Sequence, residues 1–183
     1  MRTEERWLEK IRPRIIKKLT SRLQSDINKI PPSKFIKGEI QSTFIWGDVS
    51  TGKTLWATWM LIEEEKRMYL NNIEGDCLFV SVPDLLQRIK NTFNSIETTE
   101  ADILDYYYNI HLLVLDDLGT IKPTDWVLHV LYSLINYRYE NQRKTIITSN
   151  NSLNTIATVF GDNRITSRIE RMCTVLEKTP YKK

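Results

Sequence analysis

Gly47-Asp48-Val49-Ser50-Thr51-Gly52-Lys53-Thr54 stands between the apolar-rich run Ser42–Trp46 and the long periodic stretch Lys53–Leu70. Its spacing, Gly-x4-Gly-Lys-Thr, is the Walker A pattern, in the context that pattern requires: a predicted strand before it and a predicted helix after it. The glycines let the loop wrap closely enough for backbone N–H groups to face phosphate oxygens. The N-terminus of the following helix adds a dipole that favours an anion. Lys53 is the cation expected on the β- and γ-phosphates, and the Thr54 hydroxyl is suited to Mg²⁺. The residues expected to line a bound ATP or ADP are Gly47, Asp48, Val49, Ser50, Thr51, Gly52, Lys53, Thr54 and Leu55.

Downstream, Leu112-Leu113-Val114-Leu115-Asp116-Asp117 reads as an apolar strand that ends in acid. A nearly pure apolar run such as His111–Leu115 fits a central strand of a parallel sheet, buried on both faces. Ligands of open α/β sheets bind beyond the carboxyl ends of the strands. The same edge therefore receives the phosphate loop and these carboxylates. Asp116 is expected to hold Mg²⁺, directly or through water, and Asp117 to orient an attacking water. A further strand, Thr145–Thr148, ends in Ser149-Asn150. Asn150 either hydrogen-bonds that water or the γ-phosphate, or caps the helix starting near Ser152, where Asn and Ser are favoured. Arg164, Arg168 and Arg171 share one helical face at three- and four-residue spacing. They form either a solvated basic face or a source of charge for a neighbour's γ-phosphate, since an arginine can be supplied in trans.

Strands are also predicted at Cys77–Val82 and Thr174–Glu177. Helices are predicted at Asp84–Phe93, Ala101–Tyr108, Asp125–Glu140, Ser152–Phe160 and Asn163–Met172. This alternation argues for an α/β sandwich around a parallel sheet. The 183 residues suit one domain with a sizeable core. Before it, residues 1–30 read as a basic amphipathic helical arm. Trp7, Ile11, Ile15, Leu19, Leu23 and Ile27 recur every four residues, with Arg12, Arg14, Lys17, Lys18 and Arg22 between them. Pro13 starts or bends the helix, and Pro31-Pro32 ends the arm, so the ATPase domain is expected over 31–183. The stripe either packs on the core, docks into a partner's groove, or sets its basic residues against a phosphate backbone.

A net charge of +3 excludes a general polycation, so any nucleic-acid contact must be a local patch. Cys77 and Cys173 lie far apart and the histidines are only His111 and His129, which disfavours a zinc site. The charged N-terminus has no signal-peptide core, and no apolar run is long enough to span a bilayer. No membrane partner is expected, and the cytoplasm is the expected location.

Taken together, Gly-Asp-Val-Ser-Thr-Gly-Lys-Thr, Leu-Leu-Val-Leu-Asp-Asp-Leu-Gly, Leu-Ile-Asn-Tyr-Arg-Tyr-Glu-Asn, Ile-Ile-Thr-Ser-Asn and Arg-Ile-x-Ser-Arg-Ile occur in an order that resembles the DnaC/DnaI/IstB group of AAA+ ATPases. The resemblance covers roughly residues 30–178. It implies a P-loop three-layer sandwich that, ending at Lys183, has no or only a minimal C-terminal lid. It places Asn150 at the sensor-1 position and Arg168 at the arginine-finger position, with Arg164 as second choice. It implies a homo-oligomer, ring or spiral, with composite ATP sites that turns over ATP slowly, Asp117 being shorter than the Glu of broader AAA+ proteins. It also implies single-stranded DNA in a central channel, with Arg88, Lys90 and Phe93 as candidate contacts. The implied partner is a replicative helicase or a transposase. The small size suits a phage or mobile element acting in its host's cytoplasm. Without a lid, Ile30-Pro31-Pro32 to Phe35 is the stretch expected to help hold the base.

Other readings are a small P-loop kinase, which would need an acceptor pocket and an arginine-rich lid, and a module that binds ATP only as an assembly switch. The Asp-Asp pair with Ser-Asn downstream fits ATPase chemistry better than either.

Overall fold

The computed structural model describes residues 2–17, 19–29, 39–94 and 99–179. Five strands, β1 (Thr43–Trp46), β2 (Cys77–Ser81), β3 (Leu112–Leu118), β4 (Lys144–Ser149) and β5 (Thr174–Glu177), form one parallel sheet in the order β2-β3-β4-β1-β5. Successive strand side chains point to opposite faces, and both faces are covered. Phe44, Leu113, Leu115 and Ile147 pack on one side with residues of α5 (Val82–Asn91), α6 (Glu100–Asn109), α7 (Asp125–Glu140), α8 (Leu153–Phe160) and α9 (Arg164–Met172). Ile45, Leu112, Val114 and Ile146 pack on the other against α4 (Lys53–Asn71). This is the three-layer P-loop sandwich expected from the sequence.

The arm joins the second layer. Trp7 and Ile27 are buried in the same cluster as Ile45, Trp59 and Val114, and Ile11, Ile15, Ile16 and Leu19 pack against it. Its apolar stripe therefore covers α4, but not as one continuous helix. A short α1 (Glu4–Arg6) runs into a π-helical segment, Trp7–Ile11, then α2 (Arg12–Lys17), and α3 (Ser21–Lys29) is a separate helix. The π segment ends where the Arg12 N–H reaches back to the Trp7 carbonyl, one residue before Pro13, which has no N–H to give. The second break follows a tight turn, Leu19 N–H to Ile16 carbonyl at 3.0 Å, and the Thr20 hydroxyl then caps the Leu23 N–H at 3.4 Å. The boundary expected at residues 30–31, and the Ile30-Pro31-Pro32 to Phe35 stretch expected near the base, lie outside the described residues.

One strand differs usefully from expectation. The periodicity predicts β3 to end at Leu115, yet it continues to Leu118. Leu115 and Leu118 pair with Ile147 and Ser149, so three steps on β3 match two on β4. The extra residue makes a bulge at Asp116-Asp117, and bulges re-aim side chains beside functional sites.

Candidate functional site

The phosphate loop leaves β1 at Trp46 and enters α4 at Lys53. Ser50, at φ 66°, and Gly52, at φ 84°, take the left-handed conformation, which turns successive N–H groups toward one concavity. At Gly47 the constraint is also steric. A Cβ there would lie 2.1 Å from the Lys178 carbonyl oxygen, because the chain leaving β5 crosses directly over the loop. That crossing is fixed by the Lys178 N–H bonding to the Trp46 carbonyl at 2.6 Å. Lys53 is buried, and its ammonium donates to the carbonyls of Gly47 at 2.8 Å and Asp48 at 2.7 Å. Burial pulls its pKa below the ordinary lysine value, while Asp117, Asp116 and Asp48 pull the other way.

β4 lies between β1 and β3, so its end bridges the loop and the acidic strand. The Thr148 hydroxyl, fully buried, donates to Asp116 Oδ1 at 2.6 Å and accepts the Asp117 N–H at 3.0 Å. Asp117 has φ 62°, an αL conformation that Asp tolerates better than most residues. The other Asp116 oxygen, Oδ2, accepts from the Thr54 hydroxyl at 3.3 Å. Burial raises the Asp116 pKa and the Asp117 charge adds to this, whereas the Thr148 and Thr54 hydroxyls and Lys53 oppose it. One residue on, Ser149 donates to the Leu118 carbonyl at 2.6 Å and accepts the Asn151 N–H at 3.0 Å. Thr148 and Ser149 were not singled out from the sequence. Their signal was available: two buried hydroxyl residues at the end of an otherwise apolar strand need local partners.

Thr54 and Asp116 thus stand together as an all-oxygen donor pair. Mg²⁺ takes oxygen ligands and is held by one or two carboxylates plus phosphates rather than by a protein cage. Among the described residues there is accordingly no cluster of three or more His, Cys, Asp or Glu placed to hold a metal. Asn150, exposed, follows Ser149 at the same edge. The α8 cap is supplied by Ser152, which accepts the Thr155 N–H at 3.2 Å, so Asn150 is not the N-cap.

Arg164 and Arg168 begin α9. Arg168 donates to the Tyr132 hydroxyl at 3.0 Å, to the Asn136 side-chain oxygen and to the Arg164 carbonyl at 3.1 Å, with its guanidinium 4.8 Å from the Tyr132 ring centre. Arg164 pairs with Asp162 at 2.7 Å and lies over the same ring at 5.1 Å. Tyr132 of α7 therefore sets the direction of both arginines. Among the candidate DNA contacts, Phe93 is 59% exposed and meets Trp126 edge-on, with Lys90 5.2 Å above the Trp126 ring. Arg88 instead bonds to the hydroxyl of Tyr107, whose ring is buried.

The IstB-like ATP binding protein family matches residues 7–179, which takes in the arm from Trp7 on, the phosphate loop and both acidic and arginine segments. The chain belongs to this family. It is 30% identical over 138 residues to the ATP-binding protein of insertion sequence IS232 from Bacillus thuringiensis subsp. berliner, covering 74% of this chain and 50% of that protein. It is 24% identical over 85 residues to the replicative helicase loader DnaC of Escherichia coli strain K12, covering 46% of this chain and 35% of that one. The chain thus spans half or less of the length of these relatives. A crystal structure of the DnaC helicase loader is similar over 86% of both chains, with 27% identity and a TM-score of 0.63. The resemblance drawn from the motifs is borne out, as is the AAA+ fold. No helix among the described residues is long and apolar enough to cross a membrane.

Proposed function

We propose that this chain is a slow Mg-ATPase that assembles on single-stranded DNA to load or remodel a replicative helicase. The observation that carries the reading is the hydrogen-bonded chain Thr54–Asp116–Thr148–Asp117. It joins the ends of β3 and β4 to the first turn of α4, giving one pre-formed site for a nucleoside triphosphate, which a bare phosphate loop does not require. Backbone groups from Gly47 to Leu55 cradle the phosphates, and Lys53 turns from its own loop's carbonyls to the β- and γ-phosphates. Thr54 and Asp116 hold Mg²⁺, which neutralises the developing phosphate charge. Asp117 accepts a hydrogen bond from the attacking water, and Asn150 orients that water or the γ-phosphate. Arg168, with Arg164 beside it, completes the site of a neighbouring copy, because both side chains are steered by Tyr132 on their own α7 rather than toward their own Asp116. Phe93, Lys90 and Trp126 offer a stacking and basic surface of the kind that takes single strands.

A second reading, an ATPase that assists a transposase, is favoured by the likeness to the IS232 protein. Both use the same site, so the partner separates them: co-purification with a hexameric helicase supports the first, and binding only to a transposase ends it.

Light scattering with ADP, with a non-hydrolysable ATP analogue, and with single-stranded DNA tests the shared mechanism. Assembly is expected only with the ATP analogue, strengthened by DNA and lost in Arg168→Ala. A monomer under every condition overturns the composite site.

A further inference from the structure

Arg2, Arg6, Lys10 and Arg14 recur every four residues along the arm and, with Ile11 and Tyr69, line one shallow depression of about 290 Å³. All four cations are exposed. In a pure α-helix each four-residue step overshoots a full circle by about 40°, so a stripe from Arg6 to Arg14 would wind off its face, while Arg2 precedes the helix start at Glu4. The π-helical segment Trp7–Ile11 corrects this, since a π turn holds more residues and each four-residue step then falls short of a circle. The same device keeps Trp7 and Ile11 directed at the core while the cations line up outside. The N-terminal end is anchored: Arg2 donates to the Tyr69 carbonyl at 3.4 Å and lies 5.2 Å from the centre of that ring. Nearby acid takes up part of the charge, since Glu9 neighbours Arg6 at i,i+3. Glu4 is taken by Lys66, and Glu5 and Glu9 lie one position round the helix, exposed on the adjoining face.

This depression is not part of the nucleotide site. Tyr69 lies about 24 Å along α4 from Lys53, at 1.5 Å per residue, at the opposite end of that helix. Its ligand is therefore a separate anion, and the spacing says what kind. Arg6, Lys10 and Arg14 follow one another at about 6 Å along the helix axis, with Arg2 just before the helix start at Glu4, so the row suits an extended polyanion met at roughly every second charge of a strand. A nucleic-acid strand presents one charge per 3.4 Å or so of duplex axis, and arginine forks bind phosphate oxygens two at a time. We infer that the Arg2–Arg6–Lys10–Arg14 stripe is a track for the phosphate backbone of a nucleic acid, separate from the surface around Phe93 and independent of nucleotide binding.

The test is a triple variant, Arg6→Ala/Lys10→Ala/Arg14→Ala, which leaves Arg2 and the apolar stripe in place. Affinity for a labelled single strand and for a labelled duplex is measured by anisotropy from low to physiological salt, alongside binding of an ATP analogue. The slope of log K against log salt should fall in magnitude by about 2.7 on duplex or about 2.1 on single strand, from 0.9 or 0.7 per lost phosphate contact. The nucleic acid with the full loss is the one the track carries. ATP-analogue binding should not change, so failure of this proposal and failure of the ATPase reading are distinguishable. Unchanged slopes on both nucleic acids overturn the inference. So does an equal loss measured on polyglutamate, which would assign the stripe to an acidic protein segment. Should near-UV circular dichroism show the triple variant misfolded, Arg6→Gln/Arg14→Gln carries the same measurement, with about two-thirds of the slope change expected.

Discussion

Replacing Thr148 with valine keeps the shape of a fully buried side chain and removes only a hydroxyl that works in both directions. Two costs follow. The Asp116 carboxylate loses a charge-assisted donor, worth about 1.5–3 kcal/mol, and the Asp117 N–H at the bulge is left without a partner, costing about 1–3 kcal/mol. A central value near 4 kcal/mol is a large share of an ordinary domain's ~5–15 kcal/mol. With an m-value of about 2 kcal/mol/M, the urea midpoint should drop by about 2 M. Thr148→Ser, which loses one methyl and keeps the hydroxyl, should cost only about 1 kcal/mol.

The function should move in a way that stability alone does not explain. Thr148 opposes the burial that raises the Asp116 pKa, so its loss raises that pKa further. In the proposed role Asp116 must be ionised to hold Mg²⁺, so the acid limb of ATP turnover is expected to shift to higher pH in Thr148→Val and return in Thr148→Ser. Urea unfolding and pH–rate profiles of the three proteins decide it. A valine variant within about 0.5 kcal/mol of the parent, a value typical of inconsequential surface changes, with an unmoved acid limb, would refute the bridging role. A serine variant as impaired as the valine one would refute it too.

At the other end of the sheet, Glu64 is buried and accepts from both Arg67 Nε and Nη2, at 2.7 and 2.8 Å, and from Lys144 at 3.1 Å, with His111 Nε2 at 2.8 Å. Burial raises its pKa, but the bonds from Arg67, His111 and Lys144 outweigh this and hold it at about 2. An acid lowered on folding stabilises above its unfolded pKa, about 4.3, and that stability is lost as pH falls toward 2. Glu64→Gln should therefore cost roughly 2–3 kcal/mol at neutral pH, since Arg67, His111 and Lys144 keep some solvent contact and Lys144 keeps Glu39, and the gap to the parent should narrow in urea melts at pH 3. Gly47→Ala meets both a φ of 148° and the Lys178 carbonyl at 2.1 Å. It should displace the end of β5 and abolish ATP-analogue binding in titration calorimetry, while a parent-like affinity would show that the crossing of β5 over the loop is not required.

The sheet was legible because its strands are short, apolar and separated by strong helical patterns. β3 is buried along Leu112–Leu115, and an all-apolar run states that directly. The helix starts were legible wherever a hydroxyl stood before an amphipathic stretch, as at Thr124 and Ser152. Two features were not. The bulge depends on Thr148 and Ser149 satisfying β3 backbone groups, a cross-strand fact that a linear pattern does not carry. The π segment of the arm looks from sequence like four-residue spacing with a proline in it; only packing against α4 decides that the helix widens instead of breaking there.

Arg138 shows how one residue ties these parts together. It is fully buried without a carboxylate and donates to the carbonyls of Tyr107, Tyr108, Ile110 and Lys144 and to the Thr145 hydroxyl, at 2.6–3.1 Å. Burial lowers its pKa to about 9, with the nearby Arg143 charge adding to this, so it remains charged at neutral pH. The cation thus caps the end of α6 and pins the start of β4 to α7. Within the two turns before it on that helix, Tyr132 and Asn136 hold Arg168. β4 in turn ends in Thr148, which holds Asp116 and Asp117. Arg168 and the acidic pair are thus tied to one helix–strand unit, α7 and β4.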